Sequence, residues 1–128
     1  MKKMTASLED YLEAILMLSK NDGHAHSHDI AETIGVRKSS VTVALRNLEK
    51  EGLIEYKPYS PVKLTKHGKE YAEKITKRHK VLTFFFKDIL KINDLKKIDE
   101  VACKVEHALD DEIFDKFIEL AVKHGYED

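Results

Sequence analysis

Cys103, Glu106 and His107 are spaced i, i+3 and i+4 in the stretch IDEVACKVEHAL. If that stretch is helical, at roughly 100° per residue, the three project from one face as a thiolate, a carboxylate and an imidazole, a mixed soft and hard ligand set for a divalent metal ion. The apolar stripe of the same stretch, Ile98, Val101, Ala102, Val105 and Leu109, falls elsewhere, so the three are expected off the core. A second pair, Asp10 and Glu13, is expected on the first helix, opposite Leu8, Tyr11, Leu12, Ile15 and Leu16. Two helices far apart in sequence thus carry complementary ligand types on their non-core faces.

Each group has a plainer role when taken alone. Asp10 and Glu13 suit a helix start, where the dipole favours carboxylates. An isolated cysteine such as Cys103 is most often a small buried hydrophobe, and the neighbouring Glu106 and His107 tip it toward ligation. His24, His26 and His28 resemble a metal tract, but they alternate in an expected loop ahead of a helix. A flexible tract has no fixed geometry, so specific binding is not expected there.

The elements that must position these residues are legible in outline. Ser7 followed by Asp10 reads as the capped start of a helix from about Leu8 to Lys20, which NDGHAHSH breaks. Ser27 is placed to cap a short helix through HDIAETI that Gly35 ends. Ser39 or Ser40 then opens SSVTVALRNLEKEG, closed by Gly52. A short helix, a glycine turn and a second helix with Val41, Leu45 and Leu48 inward form a helix-turn-helix pattern. LIEYK and VKLT, joined through YSP, read as two short strands, a wing. KHGKEYAEKITKRHKVLTFFFKDIL reads as one long helix, charged at first and apolar later.

The fold class expected is mainly α with a small β wing: a winged helix-turn-helix domain over 1–74 and a helical metal-binding and dimerisation domain over 75–128. Val81, Leu82, Phe85, Phe86, Ile89, Leu90, Ile113, Phe114, Phe117 and Ile118 give the second part more apolar surface than two or three short helices can bury alone. A homodimer interface is the expected remedy.

Composition narrows the function. The chain has 128 residues and one cysteine, so no internal disulfide forms and a reducing cytoplasm is the expected setting. No apolar run approaches the ~20 residues that span a bilayer, and MKKMTASLED lacks the apolar core of a secretory signal. The net charge of -1 hides an uneven distribution: 3 Lys/Arg against 6 Asp/Glu over 1–35, 12 against 5 over 36–80, and 7 against 12 over 81–128. A basic middle between acidic ends points to a polyanion partner for the middle.

The basic segment holds the second helix of the helix-turn-helix and the wing. Arg37, Lys38, Ser39, Ser40, Thr42, Val43 and Arg46 are the candidates to face the major groove of double-stranded DNA. Arg and Lys reach guanine edges or phosphates, Ser and Thr reach either, and Val43 suits a thymine methyl. Lys57, Tyr59 and Lys63 of the wing are candidate backbone contacts. A winged helix used only to bind protein is the rival reading, which the excess of positive charge disfavours.

The segments SLEDYLEAI, HDIAETIGVRKSSVTVALRNLEKEGLI, LTKHGKEYA, KRHKVL and ACKVEHAL, in this order and spacing, resemble the diphtheria toxin repressor (DtxR/MntR) family of metal-dependent transcriptional repressors. The resemblance runs from about Thr5 to Ala121. It implies a winged-helix DNA-binding domain, a helical dimerisation domain and metal sites between them. Some members add an SH3-like domain, which a chain of this length is expected to lack. By matching position, Asp10 and Glu13 resemble first-helix ligands of the manganese-type branch, and His79 resembles the ligand from the long helix. Glu106 and His107 match the pair both branches use. Cys103 resembles the iron-type branch, where the manganese type has a glutamate, so the ligand set is a hybrid. The iron branch also has a carboxylate four residues after the matched histidine, where this chain has Thr83.

The resemblance therefore implies a cytoplasmic, metal-activated repressor that binds a palindromic operator as a homodimer and controls metal-ion uptake. Fe(II) or Mn(II) is the expected co-repressor, with Co(II), Ni(II) or Zn(II) able to substitute, because the thiolate of Cys103 moves preference away from pure Mn(II). Without metal, Asp10, Glu13 and Glu106 would converge as like charges, each pair repelling by up to ~4 kcal/mol at ~4 Å and an effective dielectric near 20. An ion reverses that sign and sets two recognition helices ~34–36 Å apart. The alternative is a metal-independent winged-helix regulator. An enzyme is not expected, since no nucleophile, phosphate loop or substrate motif accompanies the ligands, and neither a membrane nor a small organic substrate is an expected partner.

Overall fold

A computed structural model of the chain describes residues 6–127. Thr5, where the resemblance begins, lies outside them. The elements in order are α1 (Ala6–Leu18), α2 (Ser27–Ile34), α3 (Lys38–Lys50), β1 (Ile54–Glu55), β2 (Lys63–Leu64), α4 (Lys66–Phe84), α5 (Leu95–Ala108) and α6 (Asp111–Lys123). The chain divides into two compact units, Met1–Lys74 and Ile75–Asp128. The fold is mostly helical with one small antiparallel sheet, as its sequence patterns require.

In the first unit the apolar positions of three helices face inward. Tyr11, Leu12 and Ile15 of α1, Ile30 of α2, and Val41, Leu45 and Leu48 of α3 are all buried. Gly35 ends α2 at φ 81°, and its N–H donates to the Ala31 carbonyl at 2.9 Å, with that of Val36 at 3.1 Å. Only a residue without a Cβ takes that turn cheaply, which is why glycine stands between the two helices. Gly52 closes α3 in the same way, with Leu53 N–H donating to Leu48 at 3.1 Å.

The helix starts differ from the capping pattern expected. α2 is capped at His26 and α3 at Arg37, neither with a side-chain bond, so Ser27 lies one position inside its helix and Ser39 and Ser40 lie further in. α1 includes Ser7 in its first turn. Serine is favoured at a cap but tolerated within the first turn, so its position alone misplaces the boundary by one or two residues.

The wing is shorter than expected, with Ile54 paired to Leu64 and Glu55 to Lys63. It gains a third segment, because Ala25 and Val62 exchange two backbone hydrogen bonds of 2.8 and 2.7 Å. Thr65 then starts α4. Its hydroxyl oxygen accepts from Gly68 N–H at 3.0 Å and the hydroxyl donates to the Gly52 carbonyl at 2.7 Å, joining the helix start to the end of α3.

In the second unit Val81, Leu82, Ala102, Phe114 and Ala121 form the buried centre. Phe85 and Phe117 pack against it, edge to face with ring centroids 5.4 Å apart. The long apolar helix is not α-helical to its end: α4 stops at Phe84, and Phe85–Ile89 form a π turn, closed by Leu90 N–H donating to Phe85 at 2.9 Å. Three consecutive phenylalanines do not fit one α-helical stripe, and the wider turn redistributes them. Asp94 and Asp110 cap α5 and α6, accepting from Lys97 N–H at 3.1 Å and Ile113 N–H at 2.8 Å. Leu90, Leu95, Ile113, Leu120 and Val122 remain exposed. Among the described residues no helix is long and apolar enough to cross a membrane.

Candidate nucleic-acid interface and metal centre

α3 is amphipathic in the sense a groove-reading helix needs. Its buried residues, Val41, Ala44, Leu45 and Leu48, share one side. Arg37, Lys38, Ser39, Ser40, Val43 and Arg46 are exposed on the other, Val43 at 60%. Thr42 differs from its neighbours: it is half-buried, and its hydroxyl donates to the Lys38 carbonyl at 3.1 Å. That bond occupies the hydroxyl proton within the helix.

Lys57, Tyr59 and Lys63 are exposed on the wing. The tip is a tight turn, with Ser60 N–H donating to the Lys57 carbonyl at 3.1 Å and Pro58 at its first corner. Tyr59, at the second corner, has φ 64°. A residue with a Cβ at that angle costs on the order of 1 kcal/mol, so the fold spends stability to hold an aromatic ring fully in solvent.

The candidate metal ligands fall in both units. On α1, Asp10 is exposed and Glu13 half-buried, as the helical pattern requires. Between the core residues and this pair lies Glu9, which the sequence reading passed over: it is 3% exposed, and the Tyr71 hydroxyl donates to its Oε2 at 3.2 Å. The signal available was spacing, since Glu9 stands three residues before Leu12 on the buried side.

In the second unit Cys103, His107 and His79 are half-buried, and Cys103 is in no disulfide. Glu106 corrects the expectation that all three α5 candidates stand clear of the core. It is 3% exposed and lies on the buried stripe with Ile98 and Ala102, while Val101, assigned to that stripe from sequence, is 37% exposed. The physical reason is Arg78. A carboxylate enters a low-dielectric interior only with a compensating charge, and the Arg78 guanidinium provides one at 3.8 Å. Arg78, itself 8% exposed, also donates to the Leu109 carbonyl at 3.2 Å, pairs with Asp111, and lies 4.7 Å over the Phe114 ring. It ties α4 to the end of α5 and the start of α6. Its sequence signal was a charge on the stripe of Ile75 and Leu82.

The residues present fit a divalent ion. A carboxylate oxygen of Glu106 and a ring nitrogen of His107 lie within 4.8 Å of each other, about twice the ~2.1 Å bond of a metal to such ligands. A buried carboxylate beside an imidazole is a borderline donor pair suited to first-row transition metals. His28 lies within α2, as the helix expected through HDIAETI places it, 3.7 Å from Glu32, and its ligand atoms cluster with those of Asp29 and Glu32 on an exposed surface. His24 and His26 stack edge to face at 5.2 Å.

Both units have counterparts among known proteins. Residues 3–62 match the family model of the iron dependent repressor N-terminal DNA binding domain, and residues 65–123 match that of the iron dependent repressor metal binding and dimerisation domain. A protein of Methanocaldococcus jannaschii described as an uncharacterized HTH-type transcriptional regulator is 37% identical over 114 residues, covering 88% of this chain and 90% of its own. Among solved structures, a manganese-dependent transcriptional repressor in complex with manganese superposes with a TM-score of 0.76 at 25% identity, over 89% of this chain and 52% of its own. The IdeR protein of T. acidophilum does so at 0.71 and 26%, over 93% and 55%. The chain thus spans about half the length of these two solved regulators.

Proposed function

The chain belongs to the iron-dependent repressor family of metal-dependent transcriptional regulators, and from that premise we propose that it is a metal-activated repressor acting as a homodimer on a palindromic operator. The observation that carries the reading is the exposed face of α3, where Arg37, Lys38, Ser39, Ser40, Val43 and Arg46 stand opposite a buried apolar side. Such a face meets base edges and phosphates, while Lys57, Tyr59 and Lys63 of the wing meet the sugar-phosphate backbone.

Asp10, Glu13, His79, Cys103, Glu106 and His107 are the proposed metal ligands, and Fe(II) or Mn(II) the proposed co-repressor. Held by these residues, a divalent ion would supply positive charge to balance their carboxylates, and it would favour DNA binding only if the DNA-competent arrangement bound it more tightly than others. The exposed Leu90, Ile113, Leu120 and Val122 support a second copy as the partner that covers them. A cytoplasmic location and control of metal uptake belong to the same proposal.

The test is selection of bound duplexes from a random pool under anaerobic conditions, in parallel with chelator, Mn(II) and Fe(II). One palindrome enriched only with metal is the expected result. Equal enrichment in chelator would leave a metal-independent winged-helix regulator and reduce the ligands to structural roles.

A further inference from the structure

Arg78 and Glu106 are a buried pair of unusual form. Their side chains are 10% and 4% exposed, yet the closest approach, Nη1 to Oε1, is 3.8 Å, beyond hydrogen-bond length. The same Nη1 donates instead to the Leu109 carbonyl at 3.2 Å, Nη2 binds Asp111, and the guanidinium plane covers the Phe114 ring. Glu106 therefore receives a compensating charge from Arg78 without receiving its hydrogen bonds. The Arg78 donors to Leu109 and Asp111 do not depend on Glu106, so the carboxylate can turn to another cation without stranding them.

We propose that Arg78 is a built-in counter-cation that competes with a metal ion for Glu106 and thereby sets the metal concentration at which the chain responds. The inference rests on Glu106 being a metal ligand, as proposed above. The sign follows from charge alone. Before an ion binds, Arg78 neutralises Glu106. Afterwards its positive charge remains close to a divalent cation and repels it, and both charges lie where water screens them weakly. An affinity lowered in this way shifts the response to higher free metal.

The experiment is calorimetric titration of the full chain with Mn(II) and with Co(II). Arg78→Met is expected to bind each ion about tenfold more tightly than the wild type, the size of an ordinary coupling between two sites. Arg78→Lys keeps the charge and is expected to stay near the wild-type affinity. The visible spectrum of bound Co(II) should be the same in all three, because the ligands are unchanged, and the metal-free Arg78→Met chain should melt below the wild type. Unchanged or weaker binding in Arg78→Met would overturn the proposal and leave the arginine a structural or positioning group. If that variant does not fold, Arg78→Gln, which retains a donor for Leu109 without the charge, decides the matter by the same criterion. Glu106→Gln separates the two readings. Wild-type affinity there removes Glu106 from the metal site, whereas lost affinity there with no gain in Arg78→Met refutes the competition alone.

Discussion

Gly68, in the first turn of α4, lies against the backbone of Leu53 so closely that a Cβ would stand 1.8 Å from the Leu53 carbonyl oxygen. The contact is backbone on backbone, so no side-chain rotation relieves it. Gly68→Ala is expected to destabilise the winged unit by about 3 kcal/mol, the upper range for overpacking. The urea midpoint of the purified variant measures this, and a midpoint equal to the wild type would show that α4 shifts freely at its start.

Thr65 makes two bonds at the same junction, accepting from Gly68 N–H and donating to the Gly52 carbonyl. Thr65→Ala removes both and should cost on the order of 1–2 kcal/mol, whereas Thr65→Ser should recover most of it. If serine is no better than alanine in thermal melts, the methyl group rather than the hydroxyl matters.

The two parts of the DNA face should respond differently to mutation. Lys57→Ala on the wing is expected to weaken binding to all duplexes about equally and to reduce the slope of log affinity against log salt by about 1. Arg46→Ala on α3 is expected to relax preference at particular base pairs, by about 1–3 kcal/mol each if it reads a guanine edge. Fluorescence anisotropy across a salt series, with operator and scrambled duplexes, distinguishes them. A uniform loss for Arg46→Ala would reassign it to phosphate.

In the proposed ligand set, Cys103 would bring a soft thiolate to carboxylates and imidazoles. Cys103→Glu is expected to shift the metal response toward Mn(II) relative to Fe(II) and Zn(II), read as the ranking of metals that promote DNA binding. An unaltered ranking would exclude Cys103 from selectivity.

The sequence carried the helix order, the glycine turn, the wing and the inward residues Val41, Leu45 and Leu48, because each depends on near neighbours in the chain. What it could not carry depends on distant partners. Glu106 reads as an exposed polar position until Arg78, 28 residues earlier, is seen beside it. Glu9 likewise depends on Tyr71, 62 residues away. The π turn at Phe85–Ile89 was hidden because a run of apolar residues satisfies an α-helical pattern as readily as a wider one. The bridge from Ala25 to Val62, inside a stretch that reads as a loop, likewise rests on a contact its own neighbourhood does not signal.

That last pairing has a mechanical meaning. The two hydrogen bonds between Ala25 and Val62 stitch together the ends of a segment that contains α2, α3 and β1, and β2 follows directly after it. Everything proposed to touch DNA lies inside this closed loop, except Lys63, which is the next residue beyond the stitch. Opening one side of the loop releases the other, so helix and wing should lose protection as a single cooperative unit rather than fray separately. The amide protons of Ala25 and Val62, both buried, are then natural clocks for that event: their exchange rates report when the whole reading head comes undone.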